Sequence, residues 1–275
     1  MPHDRWRGLR RMEPDRLAWI ALAGLLVVGA AFIYYETRGT TLWSDEWGWA
    51  LERRGGGLDT FLKPHNEHFS LIPVVLYKLL FVTAGLGNNG PYRAMVVAGH
   101  LACVALVFVY AKRRVGSYLA LLAAALLVFL GPGWENILWP FQIGWLLSLA
   151  ASLGALLMLD RADRRGDVGA CVLLGVSLAS SGLGLAIALG VAVDVLWGRR
   201  QWRQAWIVAA PLAVYALWWI GYGDAHNFVR HNIVAVPGYA ADAAAAAISS
   251  LAGLTEAAAL RPDTPLAWGR PLAVL

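Results

Sequence analysis

The feature that most limits what this chain can fold into is the recurrence of long apolar runs separated by short basic clusters. Leu17 to Tyr35 is the first such run and carries no charge. About 20 helical residues cross the hydrocarbon core of a bilayer, and there only a helix or a closed barrel satisfies every backbone N–H and C=O. Long continuous runs without alternation select the helix. Composition agrees, with 59% of the 275 residues hydrophobic and 15% charged, against roughly a quarter charged in soluble domains. The expected fold class is all-α, a polytopic transmembrane helix bundle of about seven or eight spans. The net charge of +5 does not mark a nucleic-acid binder, because the cations lie between apolar runs, as the positive-inside rule requires. The expected surroundings are membrane lipid, with no nucleic acid. Cys103 and Cys171 lie within apolar runs and read as small buried hydrophobes. The first run has a basic flank without a clean small-residue cleavage site, so it reads as a retained helix.

Charge placement sets the expected topology. Residues 1–16 carry Arg5, Arg7, Arg10, Arg11 and Arg16 and are read as a cytoplasmic tail. The first helix then delivers Glu36 to the far side, so residues 36–93 form a first extracytoplasmic loop. Within it, Leu71 to Leu86 is apolar but short, with Pro73 near its start and Lys78 in its middle. If it crossed the membrane, Lys112, Arg113 and Arg114 would land outside. If it lies in the interface, those three and the later clusters (Arg161, Arg164, Arg165, then Arg199, Arg200, Arg203) all fall inside. Charge bias selects the interfacial helix. The remaining runs are Ala94–Ala111, Ser117–Leu130, Phe141–Leu159 and Trp206–Tyr222. Val168 to Trp197 is too long for one crossing, and Ser180, Ser181, Gly182 and Gly184 punctuate it. It reads as two short helices with a tight outside turn. Residues 223–275 are expected to form an outside loop, Asp224 to Pro237, and an Ala-rich segment from Tyr239 to Leu260. The final GRPLAVL reads as the first turn of another apolar helix in a chain cut short. The whole of 1–275 is expected to be one integral domain of a plasma or inner membrane.

The longest polar interruption is Leu42 to Ser70, LWSDEWGWALERRGGGLDTFLKPHNEHFS. Its adjacent acids, Asp45 and Glu46, suit proton abstraction from a hydroxyl. They equally suit a share in a magnesium or manganese site, since oxygen ligands match both ions. An acidic turn or helix start is the plain alternative. Trp43, Trp47 and Trp49 fit an interfacial aromatic belt. The second cluster is Lys63, Pro64, His65, Asn66, Glu67 and His68. His65 and His68 at i,i+3 would share a helical face, although Pro64 reads as a loop entering a helix. Lys63 and the imidazoles suit a phosphate above the membrane, while a His/Glu/His metal set matches no closed zinc spacing. The second outside loop, Gly131 to Pro140, carries Glu135 as its one charge, beside Asn136. The last loop offers Arg230 as a phosphate clamp, with His226 and His231 nearby.

Taken in order, these residues resemble the N-terminal part of the GT-C superfamily of membrane glycosyltransferases, which includes protein O-mannosyltransferases, aminoarabinose transferases and oligosaccharyltransferases. The resemblance rests on a basic tail, one span, then the acid pair Asp45-Glu46. A His-containing entry into an apolar segment follows (His65 to Leu86), then a Tyr92-Arg93 start to a span ending Lys112-Arg113-Arg114-Val115-Gly116, and Glu135 in the second outside loop. It covers about the first 160 residues by motif and the remainder by hydropathy. The family's frequent His-Pro-Pro is replaced here by Pro64-His65-Asn66-Glu67-His68. The resemblance implies inverting transfer of a sugar from a polyprenyl-phosphate donor to an unidentified acceptor on the extracytoplasmic face. Asp45 or Glu46 would be the base. Lys63, His65, His68, Glu135, Asn136 and Arg230 would hold the donor phosphate or substrate, and a divalent cation would rest on Asp45, Glu46, Glu67 and Glu135.

A second reading is a non-catalytic polytopic protein, a lipid-linked carrier or an assembly partner. A carrier is expected to bury ionisable groups within its spans. Here the spans hold few, such as His100 in mid-span and Asp194 near a cytoplasmic end, and the acids gather outside. His100 reads as a packed, satisfied side chain.

Overall fold

The computed structural model describes residues 14–197, 202–223 and 232–251. All regular elements among them are helical. In chain order they are α1 (Pro14–Glu36), α2 (Asp45–Glu52), α3 (Leu58–Leu62), α4 (Leu71–Thr83), α5 (Gly90–Val115), α6 (Ser117–Val128), α7 (Trp134–Leu138), α8 (Ile143–Leu159), α9 (Arg164–Leu178), α10 (Leu183–Trp197), α11 (Trp206–Tyr222) and α12 (Asn232–Leu251). Among the described residues four helical stretches are long and apolar enough to cross a membrane: Asp15–Glu36, Gly90–Val115, Pro140–Leu159 and Trp202–Tyr222. Ser117–Val128 and Gly131–Leu138 add a fifth only if they count as one bent span. Residues 168–197 do form two helices, α9 and α10, but each has 15 residues, short of the usual spanning length.

The chain divides into two units. One comprises residues 1–129 and 133–223, and the other residues 130–132 and 224–275. In the second, α12 begins at Asn232 and contains Pro237, so helix starts inside the segment expected to be loop. Arg230, His226 and His231 lie outside the described residues.

Among the described residues, two of the apolar cores of the first unit join its long helices. One joins α1, α5 and α6 through Leu22, Val104, Phe108, Ala124 and Val128. The other joins α8 to α11 through Ala155, Leu174, Ala188, Val191 and Ile207. Alanine recurs in both because small residues let helix backbones approach where no water drives association. Ser148 and Ser152 both hydrogen-bond the Ser177 hydroxyl, at 2.8 and 2.9 Å, between α8 and α9. His100 is buried and meets the Val128 carbonyl at 3.3 Å, as a satisfied packing residue does. The outward faces stay apolar: Val27 is 69% exposed, Leu189 65% and Ile220 78%. Exposing such surface to water costs about 25 cal/mol per Å². Lipid removes that cost, and the long apolar helices mark a membrane protein.

Side-chain links identify the two ends of the helices. At one end Lys112 pairs with Asp15 at 3.0 Å, while Arg113 and Arg114 both reach Asp160, at 3.1 and 3.0 Å. Asp163 caps α9 through the Gly166 N–H. At the other end Arg93, starting α5, donates to the Thr37 hydroxyl at 2.9 Å, just past α1. Asn89 donates to the Thr40 carbonyl at 2.6 Å. Thus α4 begins and ends on one side of the bundle. Its first turn takes a carbonyl from the α9–α10 connection (Ile72 N to Ala179 O, 3.0 Å), and α5 starts beside the end of α1. With 13 residues it measures about 20 Å, too short for a core of about 30 Å.

Candidate functional site

The adjacent acids Asp45 and Glu46 begin α2 and diverge, because successive helical residues turn about 100° apart. Glu46 is wholly buried. Its carboxylate accepts from the Tyr77 hydroxyl at 2.6 Å, the Trp43 backbone N–H at 3.0 Å and the Trp139 indole N–H at 3.2 Å. Burial raises its pKa above the ordinary value, against the pull of these three donors. Glu46 therefore ties α2 to α4 and to Trp139 in the α7–α8 connection. Asp45 instead lines a cleft. Its carboxylate stands 3.7 Å from His65 Nε2 and accepts from the Asn66 amide at 3.4 Å.

His65 and His68 are not on a helical face. They are the paired residues of a tight hairpin, with His65 N–H to His68 O at 3.1 Å and His68 N–H to His65 O at 2.9 Å. Asn66 and Glu67 form its tip with φ of +47° and +67°. A two-residue turn with both central φ positive matches the twist of a hairpin, and directly opposed residues send their side chains to one side. Turn chemistry thus places both imidazoles at the cleft, which they line. Arg53 braces the hairpin from behind. Its guanidinium is buried and donates to the carbonyls of Thr60 (2.9 Å), Lys63 (2.8 Å) and Pro64 (3.1 Å). Lys78 on α4 donates in turn to the carbonyls of Arg53 and Gly55 at 2.6 and 2.7 Å. The cation that looked out of place in an apolar run is thus the anchor of the loop.

The cleft has a volume of about 210 Å³. The first loop gives it Asp45, Trp49, His65 and His68, the second gives Trp139, Phe141 and Gln142, and the α9–α10 turn gives Ser180 and Ser181. Close approach depends on Gly144: a Cβ there would lie 2.9 Å from the Ser180 carbonyl oxygen and 3.1 Å from Pro73 Cγ. The walls are aromatic. Trp49 packs on Phe141 at 4.7 Å between centroids, and Phe141 stacks on Trp139 at 5.0 Å. Burial lowers the pKa of His65 and of His68, against Asp45 and Glu67 respectively. Both rings are neutral at pH 7. Trp49 Nε1 and Gln142 Oε1 are buried without a hydrogen-bond partner, and His65 Nε2 faces only the Asp45 carboxylate, at 3.7 Å.

Other expected site residues lie elsewhere. Glu67 is exposed, as are Glu135 and Asn136 on α7, and none lines the cleft. Lys63 is exposed, 3.9 Å from Glu52. Of the acids expected to share a cation, Asp45 lines the cleft, Glu46 is buried, and Glu67 and Glu135 are exposed away from it. Among the described residues no three His, Cys, Asp or Glu side chains cluster for a metal. Trp43 and Trp47 are exposed, as belt residues are, whereas Trp49 is 3% exposed. Sequence reasoning missed Arg53, Trp49 as a wall, Trp139, Phe141 and Gln142. The available signal was the WPFQ run (139–142) directly before a span.

No protein-family model, no curated protein and no solved structure matches this chain.

Proposed function

We propose that the chain is a membrane glycosyltransferase of the GT-C kind, moving a sugar from a polyprenyl-phosphate donor to an acceptor hydroxyl at the Asp45 cleft. In this reading it sits in a plasma or inner membrane with about seven crossings. The N-terminus is cytoplasmic and the cleft extracytoplasmic. The observation that carries it is the convergence of one cleft-lining carboxylate, two imidazoles and an aromatic wall at the end of the bundle opposite the Lys112–Arg114 cluster. Asp45 takes the proton from the acceptor hydroxyl. The acceptor oxygen attacks the anomeric carbon from the face opposite the phosphate. The bond from that carbon to the phosphate oxygen breaks, its electron pair leaving on the polyprenyl phosphate, and the anomeric configuration inverts. His65 faces Asp45 and orients its carboxylate. Lys63, exposed beside the hairpin, is the cation suited to the leaving phosphate. The tail of the donor rests in lipid against the apolar helices.

The test uses the full chain in nanodiscs with polyprenyl-phosphate-linked hexoses and pentoses. Asp45→Asn is expected to lower transfer by about 10²- to 10⁴-fold with unchanged thermal stability. Transfer at the wild-type rate in that variant overturns the assignment of the base. Donor binding without turnover in the wild-type protein favours the carrier or assembly-partner reading.

A further inference from the structure

The basic end of the bundle holds more cations than its acids engage. Lys112 pairs with Asp15, Arg113 and Arg114 share Asp160, and Arg161 reaches Asp163 at 3.1 Å. Arg164 and Arg165 open α9 and are exposed, and neither has an acid partner among the described residues. The acids nearest in sequence are already engaged. Asp163 accepts from Arg161 and from the Gly166 N–H, and the buried Asp167 accepts from the Gln204 amide at 3.0 Å. Beyond the two arginines the outer face of α9 is apolar, with Val168 47% and Val172 59% exposed. Successive helical residues turn by about 100°, so Val168 and Val172 lie about 40° and about 80° round from Arg164, inside the angle between the two arginines. The exposed valines therefore run down the helix between the two arginine stems. Gln204 also brings the Trp202 turn against this corner, and Trp202 is 76% exposed. An exposed Trp at a helix end suits the interfacial layer of a bilayer.

We propose that this corner docks an anionic phospholipid, with an acyl chain on Val168 and Val172 and the headgroup phosphate between the guanidinium groups of Arg164 and Arg165. Long arginine stems cover apolar surface while their heads reach the headgroup layer, and the planar fork suits phosphate oxygens. A zwitterionic lipid carries its own cation beside the phosphate and leaves the arginines unneutralised. A free phosphate or an acidic peptide would meet the arginines and leave the valines bare. The positive-inside rule counts every cation at this end alike. The pairing separates Arg164 and Arg165 from Lys112, Arg113, Arg114 and Arg161, whose charges the acids already meet. Lipid bound in this way holds the α8–α9 corner at headgroup depth. The docking goes beyond the proposed transfer and holds with or without it.

The experiment titrates the full chain in mild detergent with phosphatidylglycerol, phosphatidylcholine, glycerol phosphate or polyglutamate. Retained lipid is counted by native mass spectrometry, and the thermal midpoint is the second readout. Phosphatidylglycerol is expected to bind and to raise the midpoint, less so at high salt, while the other three do neither. Arg164→Gln/Arg165→Gln is expected to weaken phosphatidylglycerol binding about fivefold for each arginine removed. Its midpoint without lipid should stay unchanged, since neither side chain holds the fold. Arg38→Gln/Arg54→Gln removes equal charge at the opposite end, where both guanidinium groups donate to backbone carbonyls, and is expected to leave binding intact. Val172→Asn keeps the charge and is expected to lower phosphatidylglycerol retention through the lost chain contact. Equal losses in the two double variants would reduce the effect to diffuse attraction and overturn the site. Equal retention of phosphatidylcholine, glycerol phosphate or polyglutamate bound as tightly as the lipid, or retention insensitive to Val172→Asn each overturns the lipid as occupant. No readout here involves sugar transfer, so failure of this docking and failure of the transferase reading are seen separately.

Discussion

The two ends of the helix bundle treat their charges in opposite ways. At the Asp15/Asp160 end, cations and acids meet in exposed or half-exposed pairs: Lys112 with Asp15, and Arg113 and Arg114 with Asp160. Solvent and salt weaken each pair, so these contacts fix which helix ends lie together without storing much energy. At the Asp45 end the charges are withdrawn from solvent. Glu46 and Arg53 are buried, and every hydrogen bond they make braces backbone or ring. Beside this frame lie two buried atoms without a hydrogen-bond partner, Trp49 Nε1 and Gln142 Oε1, and two consecutive residues at positive φ. One end is thus joined by solvent-exposed ion pairs, and the other is braced from within by buried hydrogen bonds.

The largest effect should come from breaking the frame. Glu46→Ala leaves the Tyr77 hydroxyl, the Trp139 indole and the Trp43 N–H without their acceptor and should cost about 3 kcal/mol, read as a fall in unfolding midpoint in mild detergent. Glu46→Gln, which keeps an acceptor, should cost clearly less, and equal losses would remove Glu46 from the frame.

Acid is the next probe. His65 and His68 have folded pKa values below the ordinary 6.5, so between those values and 6.5 the unfolded chain binds more protons. Stability should therefore fall as pH drops below about 6.5. The double variant His65→Gln/His68→Gln should flatten that slope. Glu46 works in the other direction: its folded pKa is raised, so its contribution is lost as pH rises from its ordinary 4.5 through the raised value. A slope unchanged by the double variant would show that the cleft does not hold its imidazoles neutral.

Smaller changes test the hairpin tip and the basic end. Glu67→Gly relieves the positive φ of an exposed residue and should stabilise by about 0.5 kcal/mol without loss of activity. Loss of function there would return Glu67 to the site. Asp160→Asn should cost about 0.5 kcal/mol at low salt and still less at high salt. A loss as large as that of Glu46→Ala would erase the contrast between the ends.

Much of the frame was legible in the sequence. Runs such as Leu17–Tyr35 and Phe141–Leu159 are helices because a long continuous apolar run without alternation satisfies its backbone in lipid only within itself. The break at Ser180–Gly184 fell where small and polar residues interrupt an apolar run, and the placement of the later basic clusters kept Leu71–Leu86 off the list of expected spans. The site was legible only in part. Asp45, His65 and His68 do line one cleft, yet the helical face expected for the two histidines is a hairpin, since Asn66 and Glu67 accept positive φ.

What the sequence determined by itself is local: which stretches are apolar long enough to be spanning helices, where they break, and which end of each carries cations. Periodicity and composition act over neighbouring residues, and those are printed in order. What only the tertiary structure decided is the fate of each polar group. Asp45 and Glu46 are indistinguishable as a pair of letters. One faces a cleft and the other is sealed in the core, because Tyr77 and Trp139, 31 and 93 residues away, come to meet the second and not the first. The direction of a side chain toward partners on other helices depends on packing, and no spacing rule along one chain carries that information.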